Sequence, residues 1–401
     1  MSTADPPTDV ERTADGRVIP EDEEAHPVSV LELFFDLVFV LAITQVTALL
    51  AEHVSISGLL RGLLVLALLW WSWVGYAWLT NSIDVDDPKT RISFFVAMTA
   101  FTVVALSTPH AFGDDALPFA LAYAVVRAMQ VGLYSYGTDA DDPNHGAILR
   151  LAPGFLLSAT LVIGGAVIGG AAQPWIWLLA ITLDVATPVL LGDTGQFRVH
   201  AGHFAERHGL IIIIALGESI VALGSGVTNG TVDVRLIVGA SLGVAIAATL
   251  WWLYFDIVAI VAEHRMKQAR GGERAEIARD SYSYIHFFMI AGIVLLALGV
   301  KKVLLDTGEP LHLVPAVALC AGPALYLLGH IAFRLRNVGT LNKQRLVIAI
   351  VLLALIPLVH AIDALAALAL VSAILVGLVV YEYVRFHEHR EDLILRIRAS
   401  S

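Results

Sequence analysis

Glu32-Leu33-Phe34-Phe35-Asp36-Leu37-Val38-Phe39-Val40-Leu41-Ala42-Ile43-Thr44-Gln45 lies within a stretch, 29–50, whose only charges are Glu32 and Asp36. A bilayer core takes about 20 predominantly apolar residues in a helix, which rises about 1.5 Å per residue. This stretch meets that length, so it reads as a transmembrane helix.

The same pattern recurs along the chain. Spans are predicted at 29–50, 58–80, 92–109, 116–136, 148–170, 174–192, 208–228, 235–261, 283–304, 312–333, 344–360 and 363–385. Turn chemistry separates them, as at Asp86-Asp87-Pro88, Asp141-Asp142-Pro143-Asn144, Gly192-Asp193-Thr194-Gly195, Thr228-Asn229-Gly230 and Gly308-Glu309-Pro310. The fold class is therefore all-α: a polytopic transmembrane helical bundle of about twelve spans.

Composition supports this against the alternative that length suggests. A chain of 401 residues would ordinarily form two or three soluble domains. Yet 57% of its residues are hydrophobic, 15% are charged and the mean hydropathy is +0.76. Soluble domains carry about 25% charged residues. No single globular core hides this much apolar surface, but lipid does.

The formal net charge of -11 is concentrated at the start, where Asp5, Asp9, Glu11, Asp15 and Glu21 through Glu24 outnumber Arg12 and Arg17. Residues 1–27 are expected to be a disordered acidic tail on the cytoplasmic side. They lack the basic then apolar order of a signal peptide. Residues 28–195 form a first six-span half, 196–386 a second, and 387–401 a short cytoplasmic tail. Cys320 has no partner cysteine, so an intrachain disulfide and a thiolate zinc site are excluded. There is no basic face for nucleic acid.

The distribution of Lys and Arg orients the bundle. With the N-terminus inside, cytoplasmic segments hold twenty of the 25 basic residues, and the loop 262–282 is prominent among them. Outside segments hold only Arg61, Arg235, Lys301 and Lys302. This is the positive-inside bias, and a wrong span count would scramble it.

The halves share weak likeness. Leu37 to Gln45 resembles Leu210 to Glu218, Leu69-Trp70-Trp71 resembles Leu250-Trp251-Trp252, and Phe94-Phe95 resembles Phe287-Phe288. Six spans is an even number, so a 6+6 repeat would be parallel, as in some transporter folds. Chance similarity among apolar helices is the alternative.

Ionisable groups at a span centre cost about 2.5–3.5 kcal/mol or more, so each is a candidate site. Glu218 is expected near the midplane of span seven as a proton or cation carrier, with Gln45 as its counterpart in the repeat. Arg127 in span four requires a carboxylate partner, for which Asp184 and Glu218 are the candidates. Glu32 and Asp36 share a helix face at i, i+4. They read as a cation or proton site at a vestibule, or as acids favoured by the helix dipole. His286 is a candidate relay or a plain hydrogen-bonding group. His200, His203 and His208 are a loose metal-ligand pattern, weaker than a cytoplasmic interface reading. Trp70-Trp71-Ser72-Trp73, with Tyr76 and Trp78, reads first as an aromatic belt. Gly165-x-x-x-Gly169 and Gly239-x-x-x-Gly243 read as packing devices.

Three strings resemble signatures of the low temperature requirement protein A family. These are Glu32 through Val40, Glu206-Arg207-His208-Gly209-Leu210 through Ala215-Leu216-Gly217-Glu218-Ser219, and Tyr282-Ser283-Tyr284-Ile285-His286 followed by Ala291-Gly292-Ile293. The resemblance extends from about residue 27 to about 385. It implies a bacterial-type integral membrane protein tied to growth in the cold. It implies no established activity and no assigned catalytic residues.

A secondary transporter of a small solute or ion is the leading expectation, with Glu218 as the proton-coupling group and Arg127–Asp184 as either a substrate contact or a static pair that fixes packing. A membrane-embedded enzyme on lipid-like substrate and a membrane sensor are the alternatives. No Walker A loop, nucleophile elbow or His-Glu-x-x-His motif is present in the sequence. The expected partners are the lipid bilayer of the inner membrane, a small solute or ion and, as an open question, further copies of the chain. No cofactor is expected.

Overall fold

The computed structural model describes residues 27–139, 141–191, 197–224 and 232–400. The acidic tail up to residue 26, and the turn signals at 192–195 and 228–230, lie outside the described residues.

Fifteen helices are described: α1 Val30–Glu52, α2 Ile56–Thr80, α3 Pro88–Ser107, α4 Ala116–Gly137, α5 Pro143–Ile168, α6 Gln173–Leu190, α7 Ala201–Leu223, α8 Val234–Phe255, α9 Val258–Gln268, α10 Gly272–Ile277, α11 His286–Leu305, α12 Leu313–Val338, α13 Lys343–Ala354, α14 Ile356–Ala361 and α15 Ala364–Ser400. Among the described residues there are eleven helical stretches long and apolar enough to cross a membrane. Helix α7 is a twelfth of similar length, set apart by the charges of Glu206, Arg207 and Glu218. The protein is a multi-pass, all-helical membrane bundle.

Caps fix where the helices begin. Ser29 Oγ accepts the Glu32 amide at 3.2 Å, and Glu32 Oε2 accepts the Ser29 amide at 2.8 Å. This capping box satisfies two otherwise orphan donors. Asp87 caps α3 through the Thr90 and Lys89 amides, and the Thr90 amide leads in holding its carboxyl below the usual range. Helix α12 ends at Gly339, whose φ of 71° is one that L side chains avoid.

Three expectations are corrected, while span eleven keeps close to its predicted extent, Lys343–Ala361, with an internal break. The loop 262–282 is largely helical: α8 bends at Asp256, continues as α9, turns at Gly271 with φ 52°, and runs through α10 into a π-helix at Ala278–Ile285. Span seven starts at Ala201 and ends at Leu223, so it extends further toward the N-terminal face than expected. Span eleven is broken into α13 and α14 just before Pro357, whose ring lacks the donor a continuous helix needs. Gly169 does not pack against a neighbouring helix; its φ of 65° ends α5.

The centre of the bundle is α2, α11 and α12, whose apolar windows are 72–78% buried, against 22–33% for α6, α8 and α13–α14. Helices α11 and α12 meet backbone to backbone. A Cβ on Gly292 would fall 2.6 Å from Gly322 O, and one on Gly299 2.7 Å from Leu319 Cα. Side chains such as Val30, Leu37, Leu106, Val167 and Ile350 face outward, as a lipid-facing surface requires.

Candidate functional site

The N-terminal ends of α1 and α7 and the C-terminal end of α2 converge on one buried charge cluster. Glu32 and Asp36 are one turn apart on α1, so both face α7. From α7, Arg207 Nη1 donates to Glu32 Oε1 at 2.7 Å, and Nη2 to Asp36 Oδ1 at 2.7 Å. Nη1 also donates to Thr80 Oγ1 of α2 at 3.2 Å. Trp73 Nε1 donates to Asp36 Oδ1 at 2.9 Å, and its ring lies under the guanidinium at 5.6 Å. His203 Nε2 lies 3.0 Å from Glu32 Oε1. Glu32, Asp36 and Arg207 are at most 1% exposed, and His203 is 7% exposed.

Glu32, Thr80 and His203 of this cluster line a vestibule of about 1120 Å³, together with Ser29, Asn81, Arg91 and Asn144, among others. A second opening of about 650 Å³, on the other side of α7, also reaches His203 and includes Glu206, Tyr254 and Lys267. His203 is thus the member of the cluster shared by both openings.

Asn81 is a residue that hydropathy gives no reason to notice. Its Oδ1 accepts the His200 amide at 3.0 Å, while its Nδ2 donates to His200 O at 3.3 Å and faces His203 Nδ1 at 3.1 Å. It is an amide following the last turn of an apolar helix, and only tertiary structure brings residue 200 to it.

Arg127 and Asp184 form a separate pair, 2.7 Å apart and buried between α4 and α6. Gln130 Oε1 accepts from Arg127 at 2.7 Å, and Phe155 lies 4.7 Å from the guanidinium carbon. Ser158 and Tyr123 donate to Asp184 Oδ2 at 3.2 and 3.4 Å. A Cβ at Gly75 would fall 2.2 Å from Gln130 Nε2, so α2 has a gap where that amide sits. A cavity of about 70 Å³ touches Arg127 and Gln130 but neither Asp184 nor Glu218.

Glu218 joins neither cluster. It is 3% exposed, and Thr44 Oγ1 donates to its Oε2 at 2.6 Å. The same hydroxyl lies 3.1 Å from Val40 O, and its one hydrogen serves only one acceptor. A proton on Glu218 would satisfy both contacts at once. Among the described residues no basic side chain forms an ion pair with it. Because α7 begins at Ala201, Glu218 lies about 26 Å along that helix, past its midpoint. Gln45, beside Thr44, is half-buried.

A column of rings lies behind the charge cluster. His286 Nδ1 faces Ser281 O at 2.9 Å, so it carries hydrogen, and Nε2 accepts the Tyr254 hydroxyl at 2.9 Å. His208 Nδ1 likewise faces Phe204 O at 2.9 Å. His208 Nε2 is buried without a partner among Trp70, Trp73, Tyr282 and His286. His203 and His208 bond in different directions, and among the described residues no three His, Cys, Asp or Glu side chains gather as metal ligands.

The aromatic belt expected at Trp70–Trp78 is corrected. Trp70, Trp71, Trp73 and Tyr76 are at most 5% exposed. Trp70 Nε1 donates to Ser283 O at 2.8 Å and Trp78 Nε1 to Ser283 Oγ at 2.9 Å. The π-helix supplies these acceptors, because its wider turn leaves backbone groups outside the ordinary ladder. The indoles face inward since buried N–H groups have partners there that lipid does not offer.

A family model described as bacterial low temperature requirement A protein matches residues 27–380. The chain belongs to that family. An uncharacterised protein of Rhizobium meliloti (strain 1021) is 26% identical to it, over 93% of each chain. No solved structure matches.

Proposed function

We propose that this member of the low temperature requirement A family is a secondary transporter of the inner membrane, with both ends cytoplasmic, moving a small solute or ion coupled to protons. One observation carries the reading: a vestibule of about 1120 Å³ is lined by Glu32 of α1 and His203 of α7, and Arg207 and Asp36 are bonded directly behind Glu32 in the buried cluster. Ionisable groups buried in a membrane bundle and reached from a cavity serve pathways more often than packing. To Glu218, roughly five turns along α7 from its start at Ala201, the same reading assigns a second proton-carrying role. A six-plus-six repeat belongs to the same proposal, with α3 packed on α4 in the first half as α11 is on α12 in the second.

The test is flux. The protein is reconstituted in liposomes holding a pH-sensitive dye, and a panel of cations, anions and neutral metabolites is added in turn. Transport predicts that at least one class drives proton movement in wild type and not in Glu32→Gln. Liposomes as tight as protein-free ones toward the whole panel would refute the reading.

A further inference from the structure

We propose that the Glu32–Arg207–Asp36 cluster holds one exchangeable proton, resident on Asp36 Oδ2 in this conformation, and that His203 under the control of the Asn81 amide is its door to the vestibule. The inference deepens the transport reading by naming the coupling site.

The first argument is charge. Two carboxylates meet one guanidinium, so the cluster is one positive charge short of neutrality unless a proton joins it. An uncompensated charge in so buried a site costs several kcal/mol.

The second is hydrogen bonding. Glu32 Oε1 accepts from Arg207 and His203, Glu32 Oε2 from the Ser29 amide, and Asp36 Oδ1 from Arg207 and Trp73. Asp36 Oδ2 alone among the four carboxylate oxygens has no donor, and it is buried. It is the oxygen whose protonation breaks no existing bond.

The third is the tautomer of His203. Asn81 Oδ1 is fixed by the His200 amide, so its Nδ2 must be the atom facing His203 Nδ1. An amide donor there makes Nδ1 an acceptor, and Nε2 then carries the ring hydrogen toward Glu32. His203 is neutral in this arrangement, and the balancing proton falls to Asp36. If the Asn81 amide turns over, its oxygen faces Nδ1 and His203 can take a second proton from the vestibule.

Other charged groups around the cluster do not supply the missing charge. Arg91 on α3 is paired with Asp86, and His208 on α7 donates to Phe204 O. Glu206 points outward to the Val28 amide, and His286 on α11 is bonded to Tyr254 and Ser281. Asp84, Arg198 and His200 lie out in the vestibule wall.

The test uses the full-length protein in lipid nanodiscs, without substrate, in a Glu218→Gln background so that this buried acid adds no signal. Difference infrared spectra read the carboxylic-acid C=O stretch, and nitrogen NMR reads the His203 ring. Expected are one acid band and a singly protonated His203. The band disappears in Asp36→Asn because the group is gone, and in Glu32→Gln because Arg207 then balances Asp36 alone. It persists in Asp184→Asn. In Asn81→Ala, which leaves the ion pairs intact should the acid variants fail to fold, the band falls and His203 becomes doubly protonated. A band that survives either Asp36→Asn or Glu32→Gln overturns the proposal, as does a doubly protonated His203 in the parent. The measurement needs no flux, so an intact band in a protein that transports nothing would sink the transport reading and leave the proton site standing.

Discussion

Arg207 and Arg127 are each fully buried, and each donates to a carboxylate at 2.7 Å. Their surroundings differ in three ways. Arg127 meets one acid, Arg207 two. The Arg127 cluster is drawn from α4, α5 and α6 within the first half, whereas Arg207 of α7 reaches back across the chain to α1 and α2. The oxygens of Asp184 are all engaged, while Asp36 keeps one without a donor. A pair of one cation and one acid is balanced as it stands, so no further proton is needed to neutralise it. An unbalanced cluster at the edge of a vestibule has a choice of states, and choice is what a coupled device needs.

The largest effect that would test this contrast is on stability. Arg207→Leu leaves two carboxylates without a cation and is expected to lower stability by about 5 kcal/mol, the upper end for breaking a buried pair. Arg207→Lys should restore little, because a point charge does not bridge two acids as the fork does. Arg127→Leu is expected to cost nearer 3 kcal/mol, since Asp184 can take up a proton and keep Ser158 and Tyr123. Denaturant titration in detergent measures both, and the reverse order would break the comparison.

Next in size is the double variant Arg127→Leu with Asp184→Leu. Replacing a buried pair by apolar residues is often close to neutral, so stability should stay within about 1 kcal/mol of wild type. Liposome flux should persist. Its loss would promote this pair from packing to pathway. Glu218→Gln keeps the contact with Thr44 and should leave stability unchanged while flattening the pH dependence of flux; an unaltered pH profile would remove Glu218 from the route. Ser29→Ala, which removes half of the capping box at the vestibule rim, is expected to cost about 1 kcal/mol and to leave flux unchanged. A loss of several kcal/mol there would mean that the cap also orients Glu32 for Arg207.

Hydropathy made the spans legible because lipid imposes one rule on every helix that crosses it. The segment 262–282 escaped that rule: its charges look like a loop, yet it lies at the rim, where a helix can be polar on one side. Glu32, Asp36, His203 and Arg207 were each visible as ionisable groups at span ends. Their convergence was not, since the partners are 171 to 175 residues apart. The choice of Asp184 over Glu218 for Arg127 was equally hidden, because both are acids at similar depth and only helix adjacency separates them. Trp73 looked like an interfacial anchor because composition does not say which way an indole faces.

The π-helix at Ala278–Ile285 has a consequence in terms of length rather than chemistry. Such a turn accommodates one residue more than an α-helix would over the same rise. Everything on its far side is thereby rotated by about 100° relative to a continuous ladder. The rotation aims His286 at Tyr254 while Ser283 still faces α2. Substitutions within the segment test single contacts, but deleting any one residue would reset the register and swing the imidazole away, a change its ring-nitrogen resonances would report. The spacing between Ser283 and His286 acts as a ruler, and descendants of this sequence are freer to change its letters than to change its count.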